Sequence, residues 1–138
     1  MSCIFCRIVG QEIPAEVVST TEHTTAFLDV QPLADGHVLV VPAAHVATIE
    51  DLDADAADVL FREVRRLAGP VRRAVGAPGS TIGINNGAAT GQTIPHVHVH
   101  IVPRWEGDGA GSVHTIFRPG DRRPVAEVGA EIRKALEA

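Results

Sequence analysis

Three histidines stand two residues apart in His96-Val97-His98-Val99-His100-Ile101-Val102, with β-branched residues between and after them. Polar and apolar side chains alternate with a period of two, the pattern of a β-strand. A strand rises about 3.3 Å per residue and sends alternate side chains to opposite faces. All three imidazoles are therefore expected on one face, about 6–7 Å apart at Cα, with the valines turned into a core. Two chemistries use such rings. Three imidazoles can grip a zinc ion that activates water, but their nitrogens must converge on one point, and three in succession along a strand fan out. Alternatively, the middle imidazole attacks an electrophile and carries it covalently while its neighbours orient it and donate protons. A neutral imidazole is available as a nucleophile at pH 7. A phosphoryl centre is its natural target, because backbone amides and polar side chains nearby can meet the charged oxygens.

Such donors precede the histidines. Gly87-Ala88-Ala89-Thr90-Gly91-Gln92-Thr93 is a loop of small residues, and small residues let backbone N–H groups approach an anion closely. Gln92 and Thr93 add side-chain donors. Cys3 and Cys6 are the only cysteines. Their spacing leaves three readings open: a redox pair, a structural disulfide, or half of a zinc site that needs two distant histidines such as His45 and His96. His114 is a further histidine within reach of the chemistry.

The elements that must position these residues follow from pattern. Val17-Val18-Ser19 and Thr24 to Val30 read as strands, the second ending beside Asp29 and closed by Pro32. His37 to Val41 is apolar almost throughout, so both of its faces should be covered, and Pro42 should stop it. Asp51 to Val75 reads as the main helix, with Asp51 or Asp53 as N-cap. Its apolar stripe is Leu52, Ala56, Leu60, Val64, Leu67, Val71 and Val75, its arginines form a solvated face, and Pro70 should kink it. Ser80 to Asn86 is a strand leading into the loop, and a closing helix is expected from about Pro124 to Ala138.

The chain has 138 residues, enough for one domain with a real core. No apolar run is long enough for a transmembrane helix, and the start Met1-Ser2-Cys3-Ile4-Phe5 has no signal-peptide pattern, so a cytoplasmic protein without a membrane partner is expected. A net charge of −5 argues against a nucleic-acid surface, although local donors can still hold a small anion.

Asn85, Gly91-Gln92-Thr93 and the alternating histidines together resemble the histidine triad (HIT) family of nucleotide hydrolases and transferases. Cys3-Ile4-Phe5-Cys6, Ala26-Phe27-Leu28-Asp29, Gly36 to Pro42 and Pro42-Ala43-Ala44-His45 extend the resemblance to nearly the whole chain. It implies a single α+β domain over 1–138 with a HIT-like fold: an antiparallel sheet of about five strands, one long helix and a C-terminal helix. Two copies would pair as a homodimer. The implied reaction cleaves a nucleoside 5′-phosphoryl bond through a nucleotidyl-histidine, on a purine nucleoside phosphoramidate or a dinucleoside polyphosphate. His98 would be the nucleophile and His100 would bind the phosphoryl or bridging oxygen. Asn85, Gly91, Gln92 and Thr93 would hold the phosphate, and Asp29 the ribose hydroxyls. Phe5, Ile8, Phe27 and Leu28 would line the base pocket, with His37 beside them. Cys3, Cys6, His45 and His96 would bind a structural zinc. A nucleotide-binding protein with little turnover is the alternative.

Overall fold

The computed structural model describes residues 3–138; Met1 and Ser2, part of the stretch read for a leader, lie outside them. The described residues divide into two compact units, the first ending at Asp108 and the second spanning Gly109–Ala138. The first contains helix α1 (Ile4–Val9), strands β1 (Val17–Thr20), β2 (Thr24–Leu28) and β3 (Val38–Pro42), helix α2 (Ala54–Ala74), and strands β4 (Gly79–Gly83) and β5 (Val99–Arg104). The strands form one antiparallel sheet in the order β1-β2-β3-β5-β4. The expected α+β architecture, with five antiparallel strands and one long helix, is the observed one.

Both faces of the sheet are covered, and the period of two divides their duties. Ala26, Val38, Val40, Val97, Val99 and Ile101 pack with Leu60, Val64 and Leu67 of α2. Phe27, Leu39 and Val41 turn the other way and pack with Phe5 and Ile8 of α1. The apolar run in β3 therefore reads correctly as a strand buried on two sides. Leu39 is paired with His100 across the ladder, which puts His100 on the α1 face with its back to the α2 core.

Helix α2 is capped by Asp53, whose carboxylate accepts from Ala56 N–H at 2.8 Å. It runs unbroken through Pro70. Leu60, Glu63, Val64 and Leu67 form its buried stripe, so a carboxylate sits among apolar neighbours. Ser19 Oγ–H donates to Glu63 at 3.0 Å and Arg66 pairs with it. The guanidinium holds the Glu63 carboxyl below the usual carboxylate range. The arginine run is thus only partly a solvated face, since Arg66 answers this buried charge and Arg72 donates to the carbonyls of Ala77 and Pro78.

Several boundaries differ from expectation: the strand read over Ser80 to Asn86 is Gly79–Gly83, and the one read over Thr24 to Val30 ends at Leu28. The histidine strand begins at Val99, not His96. The preceding backbone groups are spent off the ladder: Val97 N–H donates to the Val46 carbonyl, and the His96 carbonyl accepts from a side chain. The long helix begins at Ala54, because Ile49–Asp51 form a separate 3₁₀ turn. The second unit contains a 3₁₀ turn (Val113–Ile116) and helix α3 (Val125–Leu136), where Arg123 bonds Glu127 and Glu131.

Replacing Asp53 by Ala should destabilise the protein by about 1 kcal/mol, the ordinary worth of an N-cap. Chemical denaturation should show a lower midpoint with an unchanged slope; an unmoved midpoint would remove Asp53 as a stabilising cap.

Candidate active site

The hydrogen-bond network assigns a tautomer to each of the three histidines. His96 Nε2–H donates to the Pro42 carbonyl at 2.8 Å, so its Nδ1 carries a lone pair. His98 Nδ1–H donates to the His96 carbonyl at 2.8 Å, so its lone pair lies on Nε2. His100 is set from farther away. Leu33 N–H donates to His37 Nδ1 at 3.0 Å, which forces the proton of neutral His37 onto Nε2. His37 Nε2–H then donates to His100 Nδ1 at 2.9 Å, and His100 carries its own proton on Nε2. That atom is buried and bonded to nothing among the described residues. The rings of His98 and His100 lie 5.1 Å apart. A nucleophilic nitrogen and an uncommitted N–H donor thus sit on adjacent rings.

Burial favours the neutral form of His37, His96 and His100. Desolvation lowers the pKa of His100 to about 4, with His98 and His37 adding to the fall and Asp29 opposing it. Desolvation also lowers His37, again against Asp29, whose Oδ2 lies 3.7 Å from His37 Nε2. The other Asp29 oxygen accepts from Gln31 N–H at 2.9 Å.

Cys3, Cys6, His45 and His96 bring one donor atom each to within 4.8 Å of all the others. His96 Nδ1 lies 3.6 Å from Cys3 Sγ, 3.5 Å from Cys6 Sγ and 3.3 Å from His45 Nδ1, which is itself 3.3 Å from Cys6 Sγ. A tetrahedron built from ordinary Zn–S and Zn–N bonds has edges of about 3.3–3.6 Å between such atoms. Two thiols and two imidazoles with this spacing fit a closed zinc site. Asp29, His37 and His100 also cluster within 4.8 Å, but they fit a metal poorly. With Leu33 N–H on its Nδ1, His37 can offer Nε2 to a cation only as an imidazolate.

The small-residue loop is ordered by its own polar groups. Gly87 and Gly91 adopt positive φ, 100° and 92°, and a 3₁₀ turn (Ala88–Thr90) lies between them. Gln92 was expected to meet the phosphate with its side chain, yet that amide is committed to the backbone. Its Oε1 accepts from Gly87 N–H at 2.8 Å, and its Nε2 donates to the carbonyls of Ala47 and Ile94. The backbone N–H groups of Ala88, Ala89, Gln92 and Thr93 donate to nothing among the described residues, so they are the loop's available donors. Thr93 and Asn85 are exposed. The neighbouring Asn86, which no motif singled out, makes the strong contacts here. Its side chain bonds both Ile49 and Glu50.

Phe5, Ile8 and Phe27 gather as expected, with the Phe5 ring edge-on to Phe27 at 5.4 Å and to His98 at 5.0 Å. Leu28 does not join them. It follows Phe27 in a strand, so it faces the α2 side and packs with that core. His114 belongs to the second unit, where it pairs with Ser112.

A family model described as HIT domain matches residues 10–107. An uncharacterized HIT-like protein of Methanocaldococcus jannaschii is 44% identical over 107 residues, covering 78% of this chain and 82% of its own. The adenosine 5′-monophosphoramidase hnt1 of Schizosaccharomyces pombe is 40% identical over 138 residues, covering 99% of this chain and 100% of its own. A zinc-bound histidine triad family protein from Mycobacterium smegmatis superposes with a TM-score of 0.76 at 35% identity, over 99% of this chain and 94% of that one.

Because the His100 pKa is lowered on folding, the unfolded chain binds more protons than the folded one between its ordinary value of 6.5 and about 4. Stability should therefore fall as pH drops through that window. The melting temperature of a His100→Gln variant should depend less steeply on pH than the wild type's; an identical slope would contradict a neutral His100.

Proposed function

The chain belongs to the HIT family, and on that premise we propose that it is an enzyme cleaving a nucleoside 5′-phosphoryl bond through a transient nucleotidyl-histidine on His98. The observation that carries this reading is the His98 tautomer: Nδ1–H is held by the His96 carbonyl, and the Nε2 lone pair is left to attack. Attack forms the Nε2–P bond as the bond from phosphorus to the leaving group breaks. The positive charge that grows on the ring is met through Nδ1–H by the His96 carbonyl dipole. The His100 N–H, placed on Nε2 by His37, donates to a phosphoryl or bridging oxygen, or to the leaving nitrogen. Water then attacks phosphorus and gives up one proton to solvent, the N–P bond breaks with its electron pair returning to His98 Nε2, and AMP or GMP departs.

The remaining residues bind and orient. Backbone N–H groups of Gln92 and Thr93, on the turn that Gly91 makes at positive φ, together with Asn85, hold the phosphate. Asp29 takes the ribose hydroxyls, and the apolar group around Phe5, Ile8 and Phe27 receives a purine base beside the nucleophile. Zinc held by Cys3, Cys6, His45 and His96 would supply a structural tie between α1 and the histidine segment, since four protein ligands leave no open position for substrate. The substrate class is a purine nucleoside phosphoramidate or a dinucleoside polyphosphate, and the phosphoramidase name of the S. pombe relative favours the first. We place the protein in the cytoplasm as a homodimer, a setting that suits two free thiols. No helix among the described residues is long and apolar enough to cross a membrane.

The purified protein should release AMP from an adenosine phosphoramidate faster than from diadenosine polyphosphates. His98→Ala should lower turnover by roughly three orders of magnitude or more while AMP affinity stays within a few-fold. Wild-type turnover in that variant would remove His98 as nucleophile; AMP binding without turnover on any substrate would favour a nucleotide-binding protein.

Chelation of a zinc-loaded sample should lower the melting temperature far more than it lowers the rate per folded molecule. Loss of rate at unchanged stability would point instead to a metal that takes part in the chemistry.

A further inference from the structure

Asn85 and Asn86 are adjacent and identical in type, yet the fold uses them differently. Asn85 is exposed, whereas Asn86 is half-buried and fully engaged. Its Oδ1 accepts from Ile49 N–H at 2.8 Å, and its Nδ2 donates to Glu50 Oε1 at 2.8 Å. A carboxylate only accepts and a backbone N–H only donates, so the amide has one orientation that satisfies both. The Asn86 bond is also the chief reason that the Glu50 carboxyl is held below the usual carboxylate range.

The segment from Val46 to Glu50 runs as a rail beside the loop and the first histidine. The Val46 carbonyl accepts from Val97 N–H at 2.8 Å, and the Ala47 carbonyl accepts from Gln92 Nε2 at 2.8 Å. Ile49 and Glu50 hold Asn86. The loop is therefore moored at both ends, by Asn86 before Gly87 and by Gln92 after Gly91. Gln92 also closes the loop on itself through Gly87 N–H. Between the moorings lie two glycines at positive φ and three small residues, a stretch with much conformational freedom to lose and no side chain packed in the core. The amides left available to an anion are those of Ala88 and Ala89, between the moorings, and those of Gln92 and Thr93, at the second.

We propose that Asn86 and Glu50 form a latch that fixes the phosphate-binding loop, making Asn86 a positioning residue that sets affinity for the phosphoryl group but not for the base and ribose. This rests on the reading above that the loop holds the phosphate. A preorganised loop binds without first being ordered, so breaking the latch weakens only the part of the ligand that the loop meets. The residues read as meeting base and ribose lie in α1, in β2 and at Asp29 just after it, none of which bonds Asn86 or Glu50.

Calorimetric titration of AMP and of adenosine into the full-length protein tests this. In Asn86→Ala the Kd for AMP should rise about tenfold, equivalent to about 1.4 kcal/mol, while the Kd for adenosine stays within about twofold. Asn86→Asp should be at least as weak for AMP, because it sets two carboxylates against each other. Adding Glu50→Gln to Asn86→Asp restores a donor–acceptor pair with the roles exchanged, and should recover most of the AMP affinity. Parallel weakening of AMP and adenosine in Asn86→Ala, or no recovery in the double variant, would overturn the latch. An unchanged preference for AMP over adenosine in Asn86→Ala would overturn it while leaving the loop as the phosphate site. Equal wild-type affinities for AMP and adenosine would instead remove the reading of the loop, and the latch with it.

Discussion

The arrangement of the site depends on one short contact, the 2.8 Å hydrogen bond from His98 Nδ1–H to the carbonyl of His96. An imidazole free in solution exchanges between two tautomers, and only one of them offers Nε2 as a nucleophile. A backbone carbonyl cannot donate, so it selects that tautomer without needing a charge. The bond also takes the His96 carbonyl out of the sheet ladder, and β5 accordingly starts at Val99. The ladder therefore begins just after His98, which is held instead by its own local bond.

His96 itself is fixed by the same device. Its Nε2–H is committed to the Pro42 carbonyl, so Nδ1 points its lone pair at Cys3, Cys6 and His45. One residue thus gives its backbone to His98 and its side chain to the cluster of Cys3, Cys6 and His45. Phe5, between the two cysteines in sequence, lies edge-on to both His96 and His98. The N-terminal helix, the Cys/His cluster and His98 consequently share one set of contacts. His100 is oriented by a longer chain, from Leu33 N–H through His37, that crosses from the loop after β2 to β5. In all three cases the tautomer of a buried histidine traces back to a backbone group that only donates or only accepts, which is how a site made of nearly identical rings presents different atoms.

Much of this was readable from residue order. Alternation in Val97, Val99 and Ile101 placed them in the core, and α2 buries them. The apolar run of β3 indicated two covered faces, and both are covered. A cap at Asp51 or Asp53 followed from residue type, and the structure uses Asp53; the stripe from Leu60 to Leu67 followed from helical spacing. Other residues were misjudged because local pattern does not show what a polar side chain will meet. Gln92 looked like a phosphate donor, yet its amide closes the loop and reaches Ala47. Asn86 gave no signal, since its partners lie 36 and 37 residues away. Leu28 was grouped with Phe27 although strand alternation separates them, and here the period of two already held the answer.

The sequence by itself determined the chemistry on offer: three imidazoles at a spacing of two, a small-residue loop just before them, two thiols near the N-terminus, and enough apolar periodicity to build a sheet and a helix around them. Those follow from covalent order and from the fixed periods of strands and helices. Only the tertiary structure decided which nitrogen of each ring carries its proton, that His37 stands behind His100, that His45 and His96 meet the cysteines at tetrahedral spacing, and which asparagine moors the loop. Each of these depends on atoms brought together from distant parts of the chain, and a hydrogen bond is set by a few tenths of an ångström that no spacing in sequence can encode.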